Sequence, residues 1–270
     1  MNRIKNLFES KDNCKKSKFI GYLVCGDPDI STTKKILKIM VESGVDLIEL
    51  GVPFTDPIAD GPIIQKASER ALKNNTSLLK VLEVVKDFRK YNKVTPIVLM
   101  GYVNPVNKMG SKKFAISAKK SGVDGVLLVD LPPEESQSLN KDFLNYGLDQ
   151  IFLASPTTDK VRLKSIIKSS TGYLYYVSIK GITGASLNKT ISIKNNVSRI
   201  RHINKQELPI AVGFGIKNPK MAKDIGKFAD AIVIGSSIVE LIEKNTHQKV
   251  IMYKKIRKYL TDINNGLESI

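Results

Sequence analysis

The sequence predicts an α/β protein, a closed (β/α)8 TIM barrel with extra helices, as a single domain over residues 1–270. Three observations carry that expectation. Eight short apolar runs rich in Val, Ile, Leu and Tyr recur along the chain, and such near-continuous hydrophobicity suits parallel strands covered on both faces. Helical patterns fill the intervals, the alternation that builds a parallel sheet. The Gly-x-Gly-x-x-Gly signature of a dinucleotide-binding open sheet is missing after the first run, so the barrel leads over a doubly wound sheet.

In chain order the predicted strands are Phe19–Cys25, Asp46–Gly51, Pro96–Tyr102, Gly125–Val129, Gln150–Leu153, Tyr173–Ser178, Pro209–Val212 and Ala231–Ile234. The predicted helices are Ser31–Ser43, Pro62–Lys73, Ser77–Tyr91, Ser111–Ser121, Pro133–Tyr146, Thr158–Ser169, Ile191–Asn204, Pro219–Lys227, Ser236–Asn245 and Gln248–Asp262. Ser31 is the expected N-cap of the first and Gly44 its stop. Pro62, Pro133 and Pro219 stand where a first helical turn tolerates proline. No low-complexity tract or Pro/Gly-rich linker divides the chain.

Composition excludes several functions. The chain is 42% hydrophobic and 26% charged, a balance typical of soluble globular proteins. No apolar stretch approaches the roughly 18 residues that span a bilayer, and the basic N-terminus lacks the apolar centre of a secretory signal. The net charge of +17 is scattered, with mild clusters at Lys11–Lys18 and Lys244–Lys258. No aromatic side chains interleave with it as a base-stacking platform requires, so neither nucleic acid nor membrane is expected as a partner. Cys14 and Cys25 have no metal-ligand spacing and form no disulfide framework, which points to a reduced, cytoplasmic protein.

Barrel chemistry lives at the C-terminal ends of strands, where the unusual residues fall. "IELGVPFTDPIADGP", residues 48–62, places Glu49 inside an apolar run and Asp56 and Asp60 just beyond. A glutamate among apolar side chains loses solvation, which raises its pKa and makes it a usable acid/base. Asp60, in a loop, can take a second role; Asp56 reads as a loop or interface residue. The last two strands end in Gly213, Gly215 and Gly235-Ser236, with Gly184 after strand six. Glycines let backbone N–H groups approach an anion, and a helix starting at Ser236 adds partial positive charge. A phosphate site is therefore expected there, although each glycine alone could simply make a tight turn. Tyr22, Met100, Tyr102, Val129, Leu153, Tyr175 and Phe214 sit at strand tips; together they suggest a flat apolar group bound opposite the phosphate.

These residues closely resemble the tryptophan synthase alpha subunit family. The resemblance covers nearly the whole chain through Gly26-Asp27-Pro28, "PIVLMGYVNPV", "GVDGVLLVDLPPEE", "YYVSIKGITGAS", "VGFGIKNP" and "VIGSSIVE". It implies a lyase that cleaves indole-3-glycerol phosphate by a retro-aldol reaction to indole and glyceraldehyde 3-phosphate. Glu49 is then the general acid/base, and Asp60 bonds the indole N–H. Tyr175 shapes the pocket, and Thr183 closes over the site toward Asp60. The resemblance further implies no cofactor in this chain, with pyridoxal phosphate (PLP) held by a beta subunit. In an α2β2 complex indole passes to that partner, which Pro53, Asp56, Asn104 and Pro132 would meet. Val24-Cys25, Thr55 and Ile179-Lys180 depart from the commonest family pattern, and Lys180 puts a flexible cation beside the closing loop. Three alternatives stay open: a Schiff-base aldolase using Lys180, a binding subunit that only activates its beta partner, and a stand-alone enzyme.

Overall fold

The computed structural model describes residues 2–10, 15–178, 186–205, 208–213 and 215–270. Thr183, Gly184 and Phe214, with Cys14 and Ile179-Lys180, lie outside the described residues.

Nine parallel strands form one sheet: β1 (Lys18–Val24), β2 (Leu47–Gly51), β3 (Ile97–Gly101), β4 (Gly125–Leu128), β5 (Asp149–Gln150), β6 (Leu153–Ala154), β7 (Leu174–Val177), β8 (Ile210–Gly213) and β9 (Ala231–Ile234). Their order is β5-β4-β3-β2-β1-β9-β8-β7-β6. The two outermost strands are successive pieces of one segment. Ile151 N donates to Val126 O of β4, while Phe152 O accepts from Tyr175 N of β7. The ring therefore closes through residues 149–154, giving the eight staves of a TIM barrel, with the predicted fifth strand broken in two.

Around the sheet stand α1 (Arg3–Glu9), α2 (Ile30–Glu42), α3 (Pro62–Lys73), α4 (Leu78–Arg89), α5 (Val103–Met109), α6 (Ser111–Ser121), α7 (Gln137–Asn145), α8 (Lys160–Ser169), α9 (Ser186–Ile203), α10 (Pro219–Gly226), α11 (Ser236–Glu243) and α12 (Lys249–Glu268). The bounds of α3 and α6 match the sequence reading. The N-cap of α2 does not: Asp29, not Ser31, is extended and accepts from Thr32 N, while Ser31 Oγ donates to the same carboxylate. The segment after Pro133 is a short 3-10 turn, Pro133–Glu135, followed by α7. The last helix runs six residues past Asp262, to Glu268. It passes Gly266, where a Cβ would sit 2.9 Å from Pro219 O, so glycine there permits close approach to α10. Helices α1 and α5 were not foreseen.

Side chains along a strand alternate faces. One parity turns outward under the helices into the main core. The other fills the barrel with Ile20, Leu47, Val98, Leu127, Ile151, Tyr173, Ala211, Ala231 and Val233. Helix α1 seals the N-terminal end: Ile4 belongs to this interior cluster, with Leu7 and Phe8 packed on it. Among the described residues, no helix is long and apolar enough to cross a membrane.

Candidate active site

The inward parity, continued upward, places Tyr22, Glu49, Met100, Val129, Leu153 and Tyr175 one layer above that interior cluster. Register confirms the inward parity, since Tyr22 pairs with Glu49 and Glu49 with Val98 of the interior cluster. Met100, Val129, Leu153 and Tyr175 are half-buried where the barrel opens. Tyr22 stands between two glycines: a Cβ at Gly51 would lie 2.6 Å from its hydroxyl, and one at Gly235 would lie 2.9 Å from its ring. A Cβ at Gly213 would collide with the Tyr175 hydroxyl. Glycine is thus required at three strand ends because tyrosine rings occupy the space above them.

Glu49 is 0% exposed. Tyr173 Oη donates to Glu49 Oε1 at 2.6 Å, and Oε2 has no partner among the described residues. Burial disfavours the carboxylate and the tyrosine bond only partly offsets it, so the pKa is pushed up to about 7. The carboxyl is balanced between its two forms at neutral pH. Tyr173 was missed from the sequence, yet it lies two residues before Tyr175 and so shares its face. That spacing was the available signal.

Asp60 follows the strand-2 loop and precedes α3. Burial raises its pKa, against a 3.0 Å hydrogen bond from Tyr102 Oη that lowers it. The same tyrosine oxygen accepts from Ala59 N at 3.1 Å, and its ring stacks on Phe54 with centroids 5.1 Å apart. Tyr102 therefore fixes the loop that delivers Asp60. Burial, and then the fields of Asp60 and Glu49, hold the Tyr22 phenol protonated. Both carboxylates thus act on one ring.

The glycine end has a consistent geometry. Gly215 adopts φ +61° with nothing within 4 Å of a built Cβ. Gly235 caps α11 without any side-chain hydrogen bond, leaving the first backbone N–H groups of that helix for an anion. Ser236 begins the helix and is half-buried. Ile216 O, from the loop after β8, accepts from Ser237 Oγ at 3.4 Å and from Tyr259 Oη of α12 at 3.3 Å. Ser237 and Tyr259 thereby brace the loop after β8, a role the sequence did not signal.

The four residues expected to meet a partner fall at the same end of the barrel. Asp56 and Asn104 are exposed and Pro132 is half-buried, but Pro53 is buried within the chain. Asp130 Oδ1 accepts from Val103 N at 2.8 Å, tying the start of α5, which carries Asn104, to the loop that carries Pro132. Ile58, two residues past Asp56, is 85% exposed. Among the described residues no group of three or more His, Cys, Asp or Glu is placed to hold a metal ion.

Comparison with known proteins identifies the family. The family model described as tryptophan synthase alpha chain matches residues 8–268. The tryptophan synthase alpha chain of Neisseria meningitidis serogroup B is 47% identical over 262 residues, covering 97% of this chain and 99% of that one. That of Methylococcus capsulatus is 48% identical over 242 residues, covering 90% of each. The crystal structure of tryptophan synthase subunit alpha from Legionella pneumophila superposes with a TM-score of 0.93 at 37% identity, over 100% of both chains. Matched along nearly its whole length in both sequence and structure, this chain belongs to the tryptophan synthase alpha chain family.

Proposed function

We infer that this chain, folded as one domain over residues 1–270, is a lyase that cleaves indole-3-glycerol phosphate to indole and glyceraldehyde 3-phosphate in tryptophan biosynthesis. The observation that carries the reading is Glu49: wholly buried, half-satisfied, and poised near pH 7 beside an apolar chamber with an anion cradle opposite. The substrate spans that chamber. Its phosphate lies on the N–H groups at Gly235-Ser236 and on the loop at Gly215. Its indole lies among Tyr22, Met100, Val129, Leu153 and Tyr175, with Tyr102 behind Asp60; Thr183, Gly184 and Phe214 complete the pocket by resemblance.

The neutral Glu49 carboxyl gives its proton to indole C3. The ring nitrogen then carries positive charge, which Asp60 stabilises by accepting the N–H bond. The bond from C3 to the glycerol carbon breaks and its electron pair returns to the ring. The hydroxyl on that carbon becomes the aldehyde and its proton goes to the Glu49 carboxylate, so the catalyst is restored. Ring protonation supplies the electron sink, and the chain itself requires no cofactor. Tyr175 and Tyr22, kept protonated by burial, shape the pocket and donate hydrogen bonds.

The family name implies a beta subunit as partner. The α2β2 assembly, PLP on the beta side and a cytoplasmic location follow from family resemblance. Asp56, Asn104 and Pro132 form the partner-facing rim; Ile58 adds an apolar contact, and buried Pro53 sets the loop's course.

The test is indole release from indole-3-glycerol phosphate by wild type and Glu49→Gln, each alone and with a beta subunit. Slow release alone, strong activation by the partner and near-complete loss in the variant are expected. A wild type that binds substrate but stays inert with the partner would instead make the chain a binding and activating subunit.

A further inference from the structure

Helices α3 and α11 each begin at the mouth: α3 two residues after Asp60, α11 at the Gly235 cradle. They lie side by side across the end of β1, where Tyr22, Val24, Ile64, Ala67, Ala71 and Val239 share one buried cluster. Alanines at 67 and 71 keep the gap narrow. Toward the other end of these helices, Arg70 of α3 makes a forked pair with Asp27, Nε to Oδ1 at 2.7 Å and Nη2 to Oδ2 at 2.9 Å. Its third nitrogen, Nη1, reaches Glu243 Oε1, on the last residue of α11, at 3.2 Å. Asp27 is 0% exposed and lies in the loop after β1. Asn74 Nδ2, one turn beyond Arg70, donates to Pro28 O and Arg70 O, so the end of α3 is held to this loop twice.

A guanidinium gripped on two edges fixes direction as well as distance, which a lysine ammonium cannot do. We propose that Arg70, with Asp27 and Glu243, is a positioning group for the cleavage reaction. By tying α3 to the buried Asp27 carboxylate and α11 to the same guanidinium, it sets the span between Asp60 and the anion cradle. The inference rests on the site reading above and adds to it a device outside the pocket. A two-ended ligand gains from both contacts only if their separation matches its length; a mismatch of about 1 Å costs up to a hundredfold in rate. A ligand touching one end is indifferent to that separation.

The experiment uses the complete complex with the beta subunit and compares wild type, Arg70→Lys and Glu243→Gln. Measured quantities are kcat and KM for indole-3-glycerol phosphate and the inhibition constants of inorganic phosphate and of indole, each a one-ended probe. Expected is about a tenfold loss of kcat/KM in Glu243→Gln and more in Arg70→Lys, with both inhibition constants within twofold of wild type. Glu243 is partly exposed, with 33% of its side chain accessible, so its variant carries the test even if Arg70→Lys folds poorly. Unchanged kcat/KM with only a lowered melting temperature assigns the triad a structural role and overturns the proposal, as does equal weakening of all three ligands. An inert wild type overturns the site reading and this inference together, whereas an active wild type with unchanged variants overturns the inference alone.

Discussion

Two buried carboxylates, Asp124 at the sealed end of this barrel and Glu49 at its mouth, are treated in opposite ways. At the sealed end, Asp124 is almost wholly buried and accepts from Arg3 Nη1 and Arg89 Nη2, each at 2.7 Å, and from Ile97 N at 2.8 Å. Asn2 Nδ2 donates to Asp149 at 3.0 Å nearby. At the open end, among the described residues, Glu49 has one tyrosine hydroxyl and no cation, and Asp60 has another hydroxyl. A carboxylate gripped by guanidinium groups holds elements together. Glu49, left with only a phenol among apolar neighbours, stays near its titration point and can exchange a proton. Tyr173 joins the two ends, since its ring lies 6.1 Å from Phe8 of the sealing helix while its hydroxyl meets Glu49.

The largest expected contrast is in turnover. Glu49→Gln lowers kcat by about 10³-fold, within the range for loss of a general acid/base, while its circular dichroism stays that of wild type. A loss below tenfold would remove Glu49 from the chemistry. At the sealed end, Arg89→Met leaves the Asp124 charge short of a partner and costs about 3–5 kcal/mol in urea unfolding, with turnover per folded molecule unchanged. Lost turnover in the folded fraction would break the division between the two ends.

The pH dependence of stability sharpens the contrast. Glu49 rises from 4.5 unfolded to about 7 folded, so the native state binds the extra proton between those values. Stability therefore falls as pH rises from about 4.5 to 7, by up to about 3 kcal/mol from this one group. Glu49→Gln removes that loss: denaturant melts should show it more stable than wild type at pH 8 by a margin that vanishes near pH 4.5. A constant margin would mean the group is not titrating inside the fold. The smallest effect concerns the brace on the anion cradle. Tyr259→Phe removes one hydrogen bond to Ile216 O, and KM rises about threefold at constant kcat; a fall in kcat instead would place Tyr259 closer to the chemistry.

Where the sequence reading failed, tertiary context had decided. Helix α1 is only seven residues long, too short to persist alone; it exists because Ile4 and Phe8 plug the barrel. Helix α5 carries Pro105 in its first turn, which reads as a loop until Asp130 is seen accepting from Val103 N. Asp29 and Ser31 are both cap-forming types two residues apart, and only the extended backbone at Asp29 separates them. The fifth stave breaks because its residues bond β4 on one side and β7 on the other within six positions.

The sequence by itself determined the alternation of strands and helices, the place of Glu49 within the second apolar run and the glycines at the last strand ends, because apolar runs and turn chemistry are local. Only the tertiary structure decided that Tyr173 partners Glu49 across 124 residues, that tyrosine rings demand Gly51, Gly213 and Gly235, and that Arg70 reaches both Asp27 and Glu243. Those contacts depend on closing the ring, which brings the first and last strands side by side, and no local pattern encodes which side chains then meet.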